Sequence, residues 1–245
     1  LKIYLLEPNF VLGRANKFYL NFSEKIFCYT NSLINLPKKF INKINIIYPL
    51  VFKKYYERKI TTSKKKNFCL LVVGGSQGAH VFNTLFKDVN LEIFKKYSIK
   101  VIQQTNVNNI ENLKKFYDEK NIENKIFNFE KNLIEFIGES DLCITRAGAS
   151  TLAELSIMNK PFIAIPLPTS KDNHQFENAL FYQNLDCCWV IDQKNLDKTE
   201  LMDLLNGILE NKNEYMNKTL NLKKINDQNS WNNVNQKILE TINEN

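Results

Sequence analysis

At 245 residues the chain can form one large or two small domains, and its 44% hydrophobic and 24% charged residues place it among globular proteins rather than disordered or fibrous ones. A formal charge of +7 suits a phosphorylated substrate or an anionic membrane surface, but Lys accompanies abundant Asn, Ile and Phe, so most of it is expected on solvated faces. No apolar run nears the roughly 18 residues of a membrane span, five cysteines without C-x-x-C spacing suggest reduced thiols in a cytosolic setting, and two histidines argue against a histidine-based metal site.

In chain order, a strand is expected over 1–6, a helix over 13–22 and short strands over 25–29 and 45–48. A chain that opens inside a strand on Leu1, which is not Met, suggests that N-terminal sequence is missing. A basic stretch follows. Lys38, Lys39, Lys43, Lys53, Lys54, Arg58, Lys59, Lys64, Lys65 and Lys66 lack the interleaved aromatic platforms of a single-strand binder, so nucleic acid is not an expected partner and an anionic membrane surface is the better one.

From residue 67 the pattern alternates. Strands are expected over 68–73, 100–104, 125–129, 142–145, 162–165 and 188–191, with helices over 78–89, 107–120, 133–139, 151–159, 175–185 and 198–210. Strands apolar on both faces and separated by single helices predict a parallel sheet covered on both sides. The expected fold is therefore α/β, a Rossmann-like doubly wound parallel sheet. Two polar helices, 214–225 and 231–243, close the chain, the second N-capped by Ser230. The expected organisation is the remnant of an N-terminal domain over 1–52, a basic linker over 53–66, a nucleotide-binding domain over 67–228 and a crossing helix over 229–245.

Three segments carry chemistry. Gly74-Gly75-Ser76-Gln77-Gly78-Ala79 joins a strand to a helix, and such a turn brings backbone N–H groups and the helix dipole to a phosphate. It is neither a P-loop nor a G-x-G-x-x-G fingerprint, and a ligand-free tight turn would look alike. Arg146-Ala-Gly-Ala-Ser-Thr-Leu-Ala-Glu154 permits a second close approach. Leu152 and Leu155 mark its buried stripe and leave Glu154 off it, as a solvated first-turn carboxylate or as the acceptor for a ribose diol. In Asp172-Asn-His-Gln175-Phe-Glu-Asn178, Gln175 and Asn178 lie one turn apart, so both amides can face one side, while His174 reads as a cap or rim residue.

Together, in this order and spacing, these segments resemble the C-terminal two thirds of the MurG family, the membrane-associated bacterial N-acetylglucosaminyltransferases that convert lipid I to lipid II. Glu7-Pro8-Asn9, Gly13 and Asn16-Lys17 are similar to that family's His-Glu-Gln-Asn…Gly-x-x-Asn-Lys segment, so the likeness covers nearly the whole chain. The resemblance implies a GT-B fold with a complete C-terminal domain and a partial N-terminal one. It places Ser76 on the diphosphate, Ala149, Ser150, Thr151, Leu152 and Ala153 along the nucleotide, Glu154 on the ribose hydroxyls and Gln175 on the GlcNAc hydroxyls. Glu130 would reach the uracil through its backbone, and Asn9 would touch the donor from the N-terminal side. The implied reaction is inverting transfer of GlcNAc from UDP-GlcNAc to undecaprenyl-pyrophosphoryl-MurNAc-pentapeptide, without metal or cofactor, by a peripheral protein on the cytoplasmic face of the inner membrane.

The chain also departs from that pattern. The family's glycine-rich loop and its proposed histidine base fall upstream of Leu1, Leu6 and Pro8 replace the His and Gln of the His-Glu-Gln-Asn segment, and Ile47-Tyr48-Pro49-Leu50-Val51 lacks the family's arginine. A donor-binding subunit working with a separate acceptor domain, or a non-catalytic UDP-sugar-binding module, are the alternatives. A nicotinamide-dependent oxidoreductase lacks its glycine fingerprint.

Overall fold

The structure, a computed structural model, describes residues 1–58 and 67–244; the side chains of residues 75–80, 87, 88, 90 and 91 lie outside the described set. The N-terminal part is a parallel three-stranded sheet in the order β1 (Tyr4–Glu7), β2 (Lys25–Cys28), β3 (Ile44–Ile46). Leu5, Leu12, Leu20, Ile26, Leu33 and Phe40 form its small core. The first strand sits later than expected. Leu1 is fully exposed, whereas Glu7 is drawn inside because N–H groups converge on its carboxylate. The helix α1 is short, Arg14–Tyr19, and buries no residue.

The rest is a six-stranded parallel sheet in the order β6-β5-β4-β7-β8-β9, built from β4 (Phe68–Val73), β5 (Ile99–Gln104), β6 (Asn124–Phe127), β7 (Leu142–Thr145), β8 (Phe162–Ala164) and β9 (Cys188–Val190). Alternate residues of β4 feed opposite layers. Leu70 and Val72 pack with α3 (Gly75–Lys96) and α8 (Lys198–Glu210), while Cys69, Leu71 and Val73 pack with α5 (Leu133–Glu139), α6 (Ala149–Ile157) and α7 (His174–Asn184). That two-sided burial explains the unbroken apolar runs. Tyr117 of α4 (Ile110–Glu119) fills a smaller cluster beside β5.

Helix α3 starts three residues earlier and ends seven later than its sequence suggests. Phe82, Phe86, Val89 and Ile93 form one fully buried stripe. Burying four such side chains contributes roughly 6–12 kcal/mol, against about 1 kcal/mol for each of Gly75 and Gly78 in a helix. Packing wins.

Two connections join the sheets. The segment expected as a plain linker contains a short helix, α2 (Lys53–Glu57), while residues 59–66 lie outside the described residues. After α9 (Lys212–Ile225), α10 (Trp231–Asn243) returns to the first sheet. There Asn45 Nδ2 donates to Thr241 Oγ1 at 2.8 Å, Tyr4 donates to the Ile242 carbonyl at 3.3 Å, and Trp231 lies against Tyr56.

Candidate nucleotide-sugar site

Within the larger sheet the strands run 3-2-1-4-5-6 in chain order, so the winding reverses between β4 and β7. Helix α3 leaves β4 toward one face and α6 leaves β7 toward the other, which opens a crevice at the carboxyl ends of these neighbours. Both helix starts point into it, and no side chain caps α6. Its first-turn N–H groups are therefore available to an anion. At Gly148 an added Cβ would meet nothing within 4 Å and φ is an ordinary −68°, so chain packing does not require the glycine; its smallness leaves the helix start uncovered. Ser76 stands in the first turn of α3, but its side chain lies outside the described residues.

Arg146 follows β7 directly and is 7% exposed. Its Nη1 donates to the carbonyls of Ile165 (3.1 Å) and Pro166 (3.4 Å), and the guanidinium sits 4.9 Å from the Phe82 ring centre. Nε finds no partner, and no carboxylate pairs with the group, among the described residues. Burial lowers its pKa, yet a guanidinium stays charged. Among the described residues this cation is compensated by two carbonyl dipoles and the face of the Phe82 ring. Sequence reasoning noted Arg146 in its motif without giving it a role; a charged residue directly after the short strand Leu142–Thr145, apolar but for its last residue, was the available signal.

Glu154 is half-buried in α6, the helix whose Leu152 and Leu155 share a core with the buried ring of Tyr55 from α2. Burial raises its pKa; nearby Tyr55 and the charge of Lys54 act in the opposite sense. Helix α6 begins at Ala149, two residues before its expected start, and Leu152 and Ala153 are buried, so they can offer a ligand only backbone. Glu130 follows β6, where its Oε1 accepts from the Asn132 N–H at 2.7 Å and closes a turn.

The amide pair of α7 separates. Gln175 Oε1 accepts from the Leu167 N–H at 3.0 Å, which leaves the Gln175 amide hydrogens for another acceptor. Asn178, whose amide was expected to be able to face the same side, is fully buried. Its Oδ1 accepts from the Phe10 N–H (3.0 Å), while Nδ2 donates to the Ala147 carbonyl (3.1 Å) and to Asn9 Oδ1 (3.1 Å). Helical spacing put both amides on one side, but the N-terminal loop covers the inner one. Asn9 in turn donates to Glu7 Oε1 at 3.0 Å, and Glu7 also accepts from the Asn9 N–H, the Gly13 N–H and Asn16 Nδ2. A buried carboxylate, two amides and the 146–148 turn therefore form one hydrogen-bonded path between the sheets. Before α7, Asp172 and Asn173 both adopt positive φ, Asp172 pairs with exposed Arg14 at 3.2 Å, and His174 Nδ1 lies 2.8 Å from the Lys171 carbonyl as a local cap.

Much of the basic stretch is internally engaged. Lys43 donates to the Leu20 and Ser23 carbonyls, Lys53 pairs with Glu57, and Arg58 pairs with Glu135 at 2.6 Å. The described residues hold no group of three or more His, Cys, Asp or Glu able to bind a metal ion, and no helix among them is long and apolar enough to cross a membrane.

Comparison with known proteins gives this geometry a family. Residues 69–232 match the glycosyltransferase family 28 C-terminal domain. Over its whole length the chain is 49% identical to a UDP-N-acetylglucosamine–N-acetylmuramyl-(pentapeptide) pyrophosphoryl-undecaprenol N-acetylglucosamine transferase of Pelagibacter ubique, covering 69% of that protein. Over 85% of the chain it is 33% identical to the transferase of the same name from Rickettsia canadensis, covering 60% of it. The crystal structure of Acinetobacter baumannii MurG superposes on the entire chain with a TM-score of 0.78 at 20% identity, covering 68% of that structure, and so shares the α/β GT-B fold. The chain spans about two thirds of the length of these relatives. With the family's domain laid over the sheet that forms the crevice, the chain is a member of glycosyltransferase family 28.

Proposed function

We propose that the chain is the donor-binding part of a peptidoglycan N-acetylglucosaminyltransferase, which moves GlcNAc from UDP-GlcNAc to the 4-hydroxyl of undecaprenyl-pyrophosphoryl-MurNAc-pentapeptide. The observation that carries this reading is the convergence, at one switch point, of the α3 and α6 starts with the buried guanidinium of Arg146. Diphosphate leaves as an anion, and fixed N–H dipoles and a held cation stabilise that charge without reorganising. In this reading no metal is needed. Ser76 and the 149–153 turn take the diphosphate, Glu154 the ribose diol, the backbone at Glu130 the uracil, Gln175 the sugar hydroxyls, and Asn9 borders the donor from the N-terminal loop.

Transfer is inverting. The acceptor oxygen attacks the anomeric carbon on the face opposite the diphosphate, the bond to the diphosphate oxygen breaks with its electron pair, and a base takes the acceptor proton. No residue of this chain is assigned as that base. Residues 67–228 serve as the donor domain in this reading. Lys38 and Lys39, with exposed Phe18 and Phe22, favour peripheral attachment at an anionic membrane on the cytoplasmic side.

Because the chain spans about two thirds of its relatives, a second reading makes it a donor-binding subunit served by an acceptor domain in trans. Calorimetry with UDP-GlcNAc tests the shared premise. Saturable binding weakened at least tenfold by Glu154→Ala and by Gln175→Ala is expected; binding indifferent to both removes the site assignment. Transfer to a lipid I analogue by the purified chain alone would rule out the subunit reading.

A further inference from the structure

We propose that Arg146 is a positioning residue for the sugar end of this donor site, a reading that rests on the donor assignment above. It braces residues 165–168 as a strut, and the strut fixes how Gln175 presents its amide. The guanidinium whose charge suits the diphosphate thereby sets the geometry at the other end of the donor.

The sequence makes the strut stiff. In Ile165-Pro166-Leu167-Pro168 each proline locks its own φ and biases the residue before it toward extended backbone. The prolines also remove two N–H groups, so Leu167 carries the one backbone donor of residues 166–168. Just past the end of β8, the Ile165 N–H still donates to the Thr145 carbonyl at 2.8 Å. From there two side chains take over from the sheet. Arg146 Nη1 donates to the Ile165 and Pro166 carbonyls, and the Leu167 N–H donates to Gln175 Oε1. Ile165 and Pro166 are buried, so a carbonyl released by Arg146 has little water to turn to.

Both ends of the brace are oriented. The guanidinium lies 4.9 Å from the ring centre of Phe82, a fully buried residue of α3, and this contact holds a plane that an ammonium on a flexible stem does not reproduce. The Gln175 amide could in principle face either way round. A backbone N–H demands an acceptor, however, so Oε1 faces Leu167 and the two amide N–H donors turn away from the strut. In this reading those donors meet hydroxyl oxygens of the GlcNAc ring. The side of the ring on which a hydroxyl stands then decides whether they reach it. A shift of the strut carries the anchor of Oε1, and the donors with it, off that point.

The test is calorimetry with UDP, UDP-GlcNAc and UDP-GalNAc, whose sugar differs from GlcNAc in the side of the ring on which the 4-hydroxyl stands. The proteins are the wild-type chain, Gln175→Ala, Arg146→Lys and the double variant Pro166→Gly with Pro168→Gly. Wild type is expected to prefer UDP-GlcNAc to its epimer, and Gln175→Ala to lose that preference. Arg146→Lys keeps a cation, so its UDP affinity should stay within about threefold of wild type while the preference falls about fivefold, the scale of one hydrogen bond. The double variant alters neither the cation nor the amide. It should bind UDP as wild type does and show a reduced preference, and it carries the test if Arg146→Lys fails to fold. Arg146→Lys weakening all three ligands by one factor, or keeping the wild-type preference, would overturn the proposal; so would an unchanged preference in the double variant. If Gln175→Ala loses the preference and these variants keep it, only this proposal fails. If wild type shows no preference, the assignment of Gln175 to the sugar fails, and if it binds no uridine ligand, the donor assignment itself fails.

Discussion

Asn178→Ala cuts the hydrogen-bonded path between the two sheets at its centre. The substitution removes the acceptor of the Phe10 N–H and the donor to the Ala147 carbonyl, and both residues are buried. Leaving two buried backbone groups unpaired costs about 1–3 kcal/mol each, so a central loss is about 4 kcal/mol. Asn9, the third partner, is partly exposed and can exchange Asn178 for water. At about 2–4 °C per kcal/mol for a chain of this size, the melting temperature should fall by roughly 8–16 °C.

Asn178→Asp sharpens the test. The new carboxylate keeps an acceptor for Phe10 but turns its second oxygen toward two oxygens, each 3.1 Å from the present nitrogen. Burial and these neighbours raise its folded pKa above the unfolded carboxylate value. The protonated form can donate one bond back, so the variant should be most stable at low pH and lose stability as pH rises from the unfolded toward the folded value. Urea unfolding at pH 5 and pH 8, followed by tryptophan fluorescence of Trp189 and Trp231, measures both effects. Stability of Asn178→Ala within about 1 kcal/mol of wild type, or an Asn178→Asp profile parallel to wild type, would refute the reasoning.

Glu154 should impose its own pH dependence. Since burial raises its pKa above the ordinary 4.5, UDP affinity should decline on acidification from a pH above that value, and Glu154→Gln should lack this component while sharing the titration of the diphosphate. In the free protein the sign reverses, because ionising a carboxylate with a raised folded pKa costs stability as pH rises through that window, and thermal melts of Glu154→Gln should show a flatter profile there. The cysteines give a third check. All five are buried, Cys187 is pushed up to about 11 by burial and by Asp186, and burial also raises Cys28, Cys143 and Cys188. Ellman's reagent should find almost no thiol in the native protein and five in guanidinium; prompt labelling of the native state would contradict the packing.

The larger sheet was legible because its signals are local. Helices over 133–139, 198–210 and 231–243 and strands over 68–73 and 142–145 have the bounds their patterns suggest, and Asp197, Asn211 and Ser230 cap three helices through their side chains. The crevice was legible for the same reason, since strand, small-residue turn and helix are contiguous in sequence. What stayed hidden are pairings across the chain. No periodicity links Tyr55 to the core beside α6, and nothing near Asn178 announces that the loop at Asn9 and Phe10 lies over it. Glu7 was hidden differently: an acidic residue ending a strand reads as exposed until the amides that surround it are in place.

The return of α10 to the first sheet bears on the order in which the protein forms. The strands β1 and β3 contact residues 196 and 238 positions away, through Asn45 with Thr241 and Tyr4 with Ile242. At about 5–20 residues per second, the ribosome takes roughly 10–40 s to make the intervening chain. During that interval three short strands with a small core stand without their last helix, while the six-stranded sheet can complete itself once β9 and α8 emerge. The N-terminal sheet should therefore close after the larger sheet although it is made before it. Loss of the final helix should leave it open to protease while the larger sheet stays closed.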